Sequence, residues 1–392
     1  MKALTWQGRQ HVEVTDVPDP VLKEPTDAIV RVTSTAICGS DLHLYDVLTP
    51  FMHKGDILGH EVIGVIEEVG SEVDRLSAGD RVVVPFNISC GHCWMCRRGL
   101  QSQCETTQMR RTGKGARLFG YSSLYGAVPG GQAEFVRVPQ AQYGPMVVPS
   151  TGADERYLYL SDVLPTAWQA VQYADVHEDD CVAVVGLGPI GQLCCRIASH
   201  LGVRVIGIDL LADRLRTARE HGAEVIDIRS VANVPEAVRD LTDGRGADGV
   251  IDAVGMEAHG DKVAGAAVGV ASRLPSVVGR PVMEHLGVDR LAALRTALAA
   301  VRRGGTVSIS GVYGGSLDPI PMMDLFDKGI TLRMGQANVR RWTEDVVPLV
   351  RERDVFDLEH FATHHVPLSE AADAYRMFRD KTDDCLKVVL QP

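Results

Sequence analysis

The stretch Cys181-Val182-Ala183-Val184-Val185-Gly186-Leu187-Gly188-Pro189-Ile190-Gly191 constrains the fold of this chain more than any other. An apolar, strand-like run leads into Gly-x-Gly-x-x-Gly, and a helix-like segment, Ile190–Leu201, follows. A second apolar run, Val203–Ile208, closes on Asp209, about twenty residues past the glycines. The glycines alone are a weak signal. In the order strand, turn, helix, strand, acid they specify a dinucleotide-binding unit. Gly186 permits the tight turn, Gly188 lets backbone approach a pyrophosphate, and Gly191 lets helix and strand pack closely. Pro189 and Ile190 open a helix whose N-terminus faces the phosphates. Asp209 accepts hydrogen bonds from the adenosine ribose and repels a 2′-phosphate, so NAD is expected rather than NADP. Arg214, in the helix-like segment Asp213–His221, joins the cofactor-binding set.

The same alternation continues through Val225–Ile228, Val234–Leu241, Val250–Ala253, Leu291–Val301 and Thr306–Ser310. Strands alternating with helices of this length imply right-handed crossovers and a parallel sheet. The chain before it reads differently. Val12–Val14, Ala28–Thr33, Glu61–Val69, Arg81–Val84 and Ala133–Val138 are short β-rich runs between Gly, Pro and Asp turns. Asp154–Val171 has apolar residues at helical spacing, with a break or kink expected at Pro165. Asp345–Arg351 and Glu370–Phe378 read as helices and Leu386–Leu390 as a last strand, a tail expected to return to the first domain. The expected division is 1–165, 166–335 and 336–392. Two long segments, Met109–Gly131 and Glu257–Asp289, read as loops, the first of them on the surface.

A length of 392 residues suits two or three domains, and 45% hydrophobic residues suffice for large cores. Acids and bases are mixed along the chain, net charge is −11 and no Lys/Arg block occurs, so neither nucleic acid nor a membrane surface is an expected partner. No apolar run reaches ~18 residues, so no membrane-spanning helix is expected. The start lacks the apolar core of a signal peptide. Of nine cysteines, four fall within residues 90–104. In a long chain without a leader this reads as metal binding in a reducing compartment, the cytoplasm, rather than a disulfide framework.

That cluster is Cys90-x2-Cys93-x2-Cys96-x7-Cys104, in a lobe spanning 89–105. Four thiolates complete a tetrahedral shell around zinc and leave no open position, which marks a structural site. An iron–sulfur cluster and free thiols are the alternatives; the fourth cysteine lacks the following proline of the ferredoxin pattern. A second constellation is Cys38-Gly39-Ser40-Asp41-Leu42-His43 with Gly59-His60-Glu61. Cys38 and His60 are the residue types zinc prefers, and Ser40 and His43 can move protons beside it. A catalytic zinc takes three protein ligands, and the third is open: Glu61, Asp162 or one of Cys181, Cys194, Cys195 and Cys385. The last four also read as core. Tyr45, Phe51 and Met52 read as either pocket or core.

Taken together these motifs resemble the zinc-containing medium-chain alcohol dehydrogenases over nearly the whole chain. Leu160-Ser161-Asp162-Val163-Leu164-Pro165-Thr166 and the 109–131 segment ending Gly130-Gly131-Gln132-Ala133-Glu134 resemble the glutathione-independent formaldehyde dehydrogenase branch. The resemblance implies an α/β chain: a GroES-like β-barrel catalytic domain plus a doubly wound, Rossmann-type NAD domain. It implies two zinc ions, one catalytic on Cys38, His60 and Asp162 and one structural on Cys90, Cys93, Cys96 and Cys104. It places Glu61 behind the catalytic metal, as a residue that can swap in, and Thr166 beneath the nicotinamide. It implies that Ser40 takes the alcohol proton, that His43 passes it on, and that hydride goes to or from NAD in the domain cleft. A homo-oligomer, dimer or tetramer, acting on a small alcohol, aldehyde or ketone follows. The alternatives are a formaldehyde dehydrogenase or aldehyde dismutase holding NAD permanently, and a zinc protein without catalysis.

Overall fold

The computed structural model describes residues 1–255, 291–313 and 320–392; the segment Glu257–Asp289 lies outside them. Its chain divides into two compact units, one of residues Met1–Pro165 with Ala337–Pro392, the other of Thr166–Gln336.

In the first unit seven strands lie in the order His364–Pro367, Val388–Gln391, Ala28–Ile37, Glu61–Val69, Arg81–Val84 and Met146–Val147, with Phe135–Val138 also pairing on Ala28–Ile37. Apart from the first two strands, which run parallel, neighbours are antiparallel. The long strand Ala28–Ile37 slips register against Glu61–Val69 at Ile29/Val30 and at Val32/Ser34. Such bulges bend a strand and add twist, and they curl this sheet around Val30, Val32, Val62, Ile66, Val82, Val84 and Val136. Lys2–Gly8 and His11–Asp16 form a separate hairpin. The tail closes the sheet: Val388 pairs with Ile37 and Leu390 with Thr35.

The second unit is a six-stranded parallel sheet in the order Glu224–Asp227, Arg204–Asp209, Cys181–Val185, Ala247–Asp252, Val301–Ile309 and Thr331–Met334. The chain enters at Cys181–Val185 and winds outward in both directions. Every residue of that strand is buried, as expected where helices cover both faces of a parallel sheet. Gly186, at its end, has φ +89, and a β-carbon on Gly191 would run into the Gly186 carbonyl oxygen. The helix Pro189–His200 starts on proline, where the missing N–H is one that has no partner within the helix anyway.

Two sequence expectations need correction. The helix expected over 154–171 does not break at Pro165. Helix Glu155–Leu158 tightens into a 3-10 turn, Tyr159–Ser161, and helix Val163–Tyr173 begins afresh. Between them Asp162 leaves the helical region, at φ −153 and ψ −75. Pro165 is third in the new helix, where its lack of N–H costs no bond. Nor is 109–131 simply a surface loop. Leu118 bridges Asn87, Phe119 bridges Val128, and Phe119 and Val128 are buried in the core of the curled sheet. Burying that apolar surface outweighs leaving the segment in water. Sequence periodicity also passed over the short elements Lys2–Gly8, Met146–Val147, Met322–Lys328, Thr331–Met334 and His364–Pro367. No helix among the described residues is long and apolar enough to cross a membrane.

Candidate metal centres and cofactor site

Antiparallel pairing builds the first site. Ala36, near the end of one strand, pairs with Glu61, the first residue of the next, so Cys38 just after one strand meets His60 just before the other. Asp162 reaches the same point from the break between its helices. Cys38 Sγ lies 3.5 Å from Asp162 Oδ2, and His60 Nε2 lies 3.3 Å from the same oxygen. Ligand atoms from Cys38, His60, Glu61 and Asp162 all fall within 4.8 Å of one another, and all four residues are buried. Glu61 Oε1 is held by the Lys387 ammonium, and both side chains are completely buried. Glu61 Oε2 is buried without a hydrogen bond among the described residues. A sulfur, an imidazole nitrogen and carboxylate oxygens converging on one buried point suit zinc.

The surroundings hold the cluster in place. Asp41 Oδ1 lies 3.2 Å from His60 Nδ1, and Asp41 Oδ2 accepts from the Cys38 amide at 3.0 Å. Lys387 also donates to the Ile37 carbonyl at 3.0 Å. Ser40 Oγ is 3.2 Å from His60 Nε2. His43 is buried in the next turn, His43–Val47. Burial pulls the His60 imidazolium down, but Asp41 and the bond to Asp162 outweigh it and leave His60 well above its ordinary value. Burial and the Asp162 carboxylate push the Cys38 thiol up. Burial also pulls the Lys387 ammonium down, yet Glu61 beside it leaves it above the usual lysine range.

The second cluster is Cys90, Cys93, Cys96 and Cys104. Backbone amides point at the sulfurs: Cys96 N to Cys93 Sγ, Cys90 N to Cys104 Sγ and Glu105 N to Cys93 Sγ, each at 3.4 Å. Thr106 donates to Cys90 Sγ at 3.1 Å. The hydrogen bond from Cys96 holds the Cys104 thiol down to about 4, while Cys96 keeps the shared proton. Among the described residues the apolar cluster around these sulfurs adds only Ala116, too little to order the lobe by burial, so a metal would supply that energy. No disulfide joins any of the nine cysteines. Cys181, Cys194, Cys195 and Cys385 are buried away from both clusters.

In the second unit Asp209 Oδ2 accepts from Leu187 N at 2.7 Å, and Oδ1 accepts from Leu210 N and Leu211 N at 2.6 and 2.9 Å. The carboxylate thus ties the glycine turn to the end of its strand. Arg214 brings Nη1 to 3.6 Å from where a β-carbon on Gly188 would sit. Thr166 lies in helix Val163–Tyr173 and belongs to the second unit, whereas Asp162 belongs to the first. Tyr45, Phe51 and Met52 are buried.

Asp41, Gln132, Tyr375 and Lys387 were not singled out from sequence. Asp41 sat in plain view inside the Cys38–His43 motif. Lys387 carried a weaker signal, a lysine just ahead of the apolar run Val388-Val389-Leu390. Gln132 lay inside the segment Gly130-Gly131-Gln132-Ala133-Glu134 with nothing to mark it as a site residue, and Tyr375 carried no signal.

Matches to known proteins agree with this geometry. Residues 24–149 match the alcohol dehydrogenase GroES-like domain and residues 189–267 the zinc-binding dehydrogenase domain. Together with the parallel sheet and the metal-binding clusters, these define the class: a medium-chain, zinc-type dehydrogenase of GroES-like and Rossmann-type units. An uncharacterized zinc-type alcohol dehydrogenase-like protein, AdhB of Bacillus subtilis, is 40% identical over the full length of both chains. A glutathione-independent formaldehyde dehydrogenase of Pseudomonas aeruginosa is 33% identical over 80% of this chain and 75% of its own. Among solved structures, alcohol dehydrogenase TADH from Thermus sp. ATN1 superposes with a TM-score of 0.83 at 33% identity, covering 100% of this chain and 99% of that one. The chain belongs to the zinc-dependent alcohol dehydrogenase family. Membership supports an alcohol- or aldehyde-directed oxidoreductase that uses zinc.

Proposed function

We propose that this protein interconverts an alcohol with an aldehyde or ketone, using NAD and a zinc held by Cys38, His60 and Asp162. A second zinc on Cys90, Cys93, Cys96 and Cys104 is structural. One observation carries the reading: a buried thiol, imidazole and carboxylate converge, with a serine hydroxyl 3.2 Å from the metal-facing imidazole nitrogen. Asp162 is preferred to Glu61 as third ligand because Lys387 already holds one Glu61 oxygen. A zinc held by Cys38, His60 and Asp162 would supply Lewis acidity toward a substrate hydroxyl, and an NAD held at the glycine turn would supply a hydride acceptor or donor.

The residues of the chain do the rest. Ser40 accepts the hydroxyl proton and His43 passes it toward solvent. Asp41 keeps a proton on His60 Nδ1, leaving Nε2 bare for the metal. Gly186, Gly188, Pro189, Ile190 and Gly191 form the pyrophosphate cradle, with Arg214 beside it. Asp209 selects the unphosphorylated ribose of NAD, and Thr166 supports the nicotinamide. A homo-oligomer in a reducing compartment, the cytoplasm, completes the proposal. Its support is the exposed pair Met323 and Phe326, at 77% and 86%, near the sheet-edge strand Thr331–Met334.

A panel of alcohols and aldehydes with NAD or NADP, followed at the reduced-nicotinamide absorbance band, tests this reading. NAD-dependent turnover of at least one pair is expected; none with either cofactor overturns it. Ser40→Ala should cut turnover by roughly 10²–10⁴-fold with zinc content unchanged. Equal turnover in the variant removes Ser40 from the proton path.

Zinc loading should depend steeply on pH. Burial, Asp41 and Asp162 shift His60 and Cys38 toward their protonated forms, whereas binding metal requires the neutral imidazole and the thiolate. Affinity therefore falls as pH falls, by up to about a hundredfold per pH unit for two protons. Chelator competition measured from about pH 6 to about pH 8 reads the slope. A flat profile would rule out these two ligands.

A further inference from the structure

A buried line of side chains runs from the C-terminal helix to the imidazole of His60. Tyr375, in helix Ala371–Asp380, donates its hydroxyl to Gln132 Oε1 at 2.8 Å. Gln132 Nε2 lies 3.1 Å from the Ala36 carbonyl and 3.3 Å from Asp41 Oδ2. Asp41 Oδ1 faces His60 Nδ1 at 3.2 Å. Tyr375, Gln132 and Asp41 are all 0% exposed and His60 4%, so solvent is excluded along the whole line, whose last step, Asp41 to His60, is an ion-pair contact rather than a formed hydrogen bond.

The chemistry of the groups gives the line a direction. The Ala36 carbonyl can only accept, so the end of Gln132 that faces it must be its NH₂. The other end is then a bare carbonyl oxygen, which needs a donor, and the tyrosine hydroxyl is that donor. A flipped carboxamide would set two oxygens against each other at Asp41 and leave an NH₂ against the phenol. With Gln132 donating, Asp41 keeps its second oxygen turned toward His60 Nδ1, 3.2 Å away, where its charge favours a proton on that nitrogen. The imidazole is then the tautomer whose Nε2 lone pair is free.

We propose that Tyr375 is a positioning residue of the metal site: acting through Gln132 and Asp41, it fixes the direction of hydrogen bonding that leaves His60 Nε2 free to bind metal. The proposal rests on the reading of His60 as a zinc ligand. Residues that orient a metal-bound imidazole commonly change metal affinity by roughly 10–100-fold when lost. Tyr375 is 243 residues from Gln132 in sequence, so the tail contributes to a site whose ligands all precede residue 163.

The test is metal release from the zinc-loaded protein to a chromogenic chelator, followed in time for wild type, Tyr375→Phe, Asp41→Asn and the double variant. Two phases in wild type, one lost in Cys38→Ala, establish the site; a single zinc per chain would overturn the underlying reading and the inference with it. Tyr375→Phe should speed the Cys38-dependent phase about tenfold or more and leave the other unchanged. Asp41→Asn should be faster still, and adding Tyr375→Phe to it should change nothing further, since the line is already cut. Gln132→Leu should reproduce the tyrosine effect. Wild-type release from Tyr375→Phe, or additive effects in the double variant, would overturn the proposal and reduce Tyr375 to packing against Tyr45, whose ring lies 5.5 Å away.

Discussion

Cys38→Ala is expected to take one zinc from each chain and leave the other, with turnover falling by roughly a thousandfold or more. Cys38 brings the only thiol to its cluster, where the remaining groups are one imidazole and two carboxylates. Zinc held without that thiolate loses its softest ligand and part of its charge compensation. The four-cysteine lobe does not share in the loss, because its sulfurs are held by amides and a hydroxyl within residues 90–106. Elemental analysis of the purified variant should therefore read one zinc where wild type reads two. Retention of both zincs, or loss of both, would contradict the assignment of two independent sites. Cys104→Ala is the complement: it should lose the structural zinc and, with it, the order of a lobe that has almost no apolar core.

Lys387→Met is expected to produce the largest loss of stability. Lys387 and Glu61 are both wholly buried and paired with each other. Methionine fills most of the lysine stem's volume, so packing is largely kept and the change is electrostatic. Removing one partner of a buried pair strands the other charge, at a cost of about 3–5 kcal/mol. Thermal or denaturant unfolding of the metal-free protein reads that cost. Glu61→Gln together with Lys387→Met removes both charges and should recover most of it. The zinc-loaded variant should lose less than the metal-free one, since the released Glu61 carboxylate lies within 4.8 Å of the ligand atoms of Cys38, His60 and Asp162 and would join them on a bound zinc. A loss below about 1 kcal/mol in the metal-free protein, the range of an exposed ion pair, would show that the pair is not desolvated.

The two units differ in how readable they were. The parallel sheet followed from local signals: continuous apolar strands, amphipathic helices between them, and glycines whose backbone demands are met within a few residues. The curled sheet followed less well. Its strands are short and bulged, and its burial depends on partners far away in sequence. Leu118 and Phe119 read as loop because nothing near them is periodic; they are core because Asn87 and Val128 meet them. The break at Asp162 was misplaced to Pro165 for a related reason. Proline is the locally visible helix breaker, whereas the chain departs from helix where a carboxylate turns toward Cys38 and His60.

Residue chemistry and short-range spacing determined the dinucleotide motif, the cysteine lobe and the pair Cys38 and His60 as metal-binding types. They depend on neighbours a few residues apart, which a sequence displays directly. The sequence named Asp162 and Glu61 as candidates to join that pair; tertiary structure alone decided that both lie beside it, that Lys387 restrains Glu61, and that Tyr375 and Gln132 stand behind Asp41. Those relations span tens to hundreds of residues, and they follow from strand pairing, above all that of the tail on Ala28–Ile37. A buried polar side chain must find its partner wherever the fold puts one, and no local pattern in the chain records where that is.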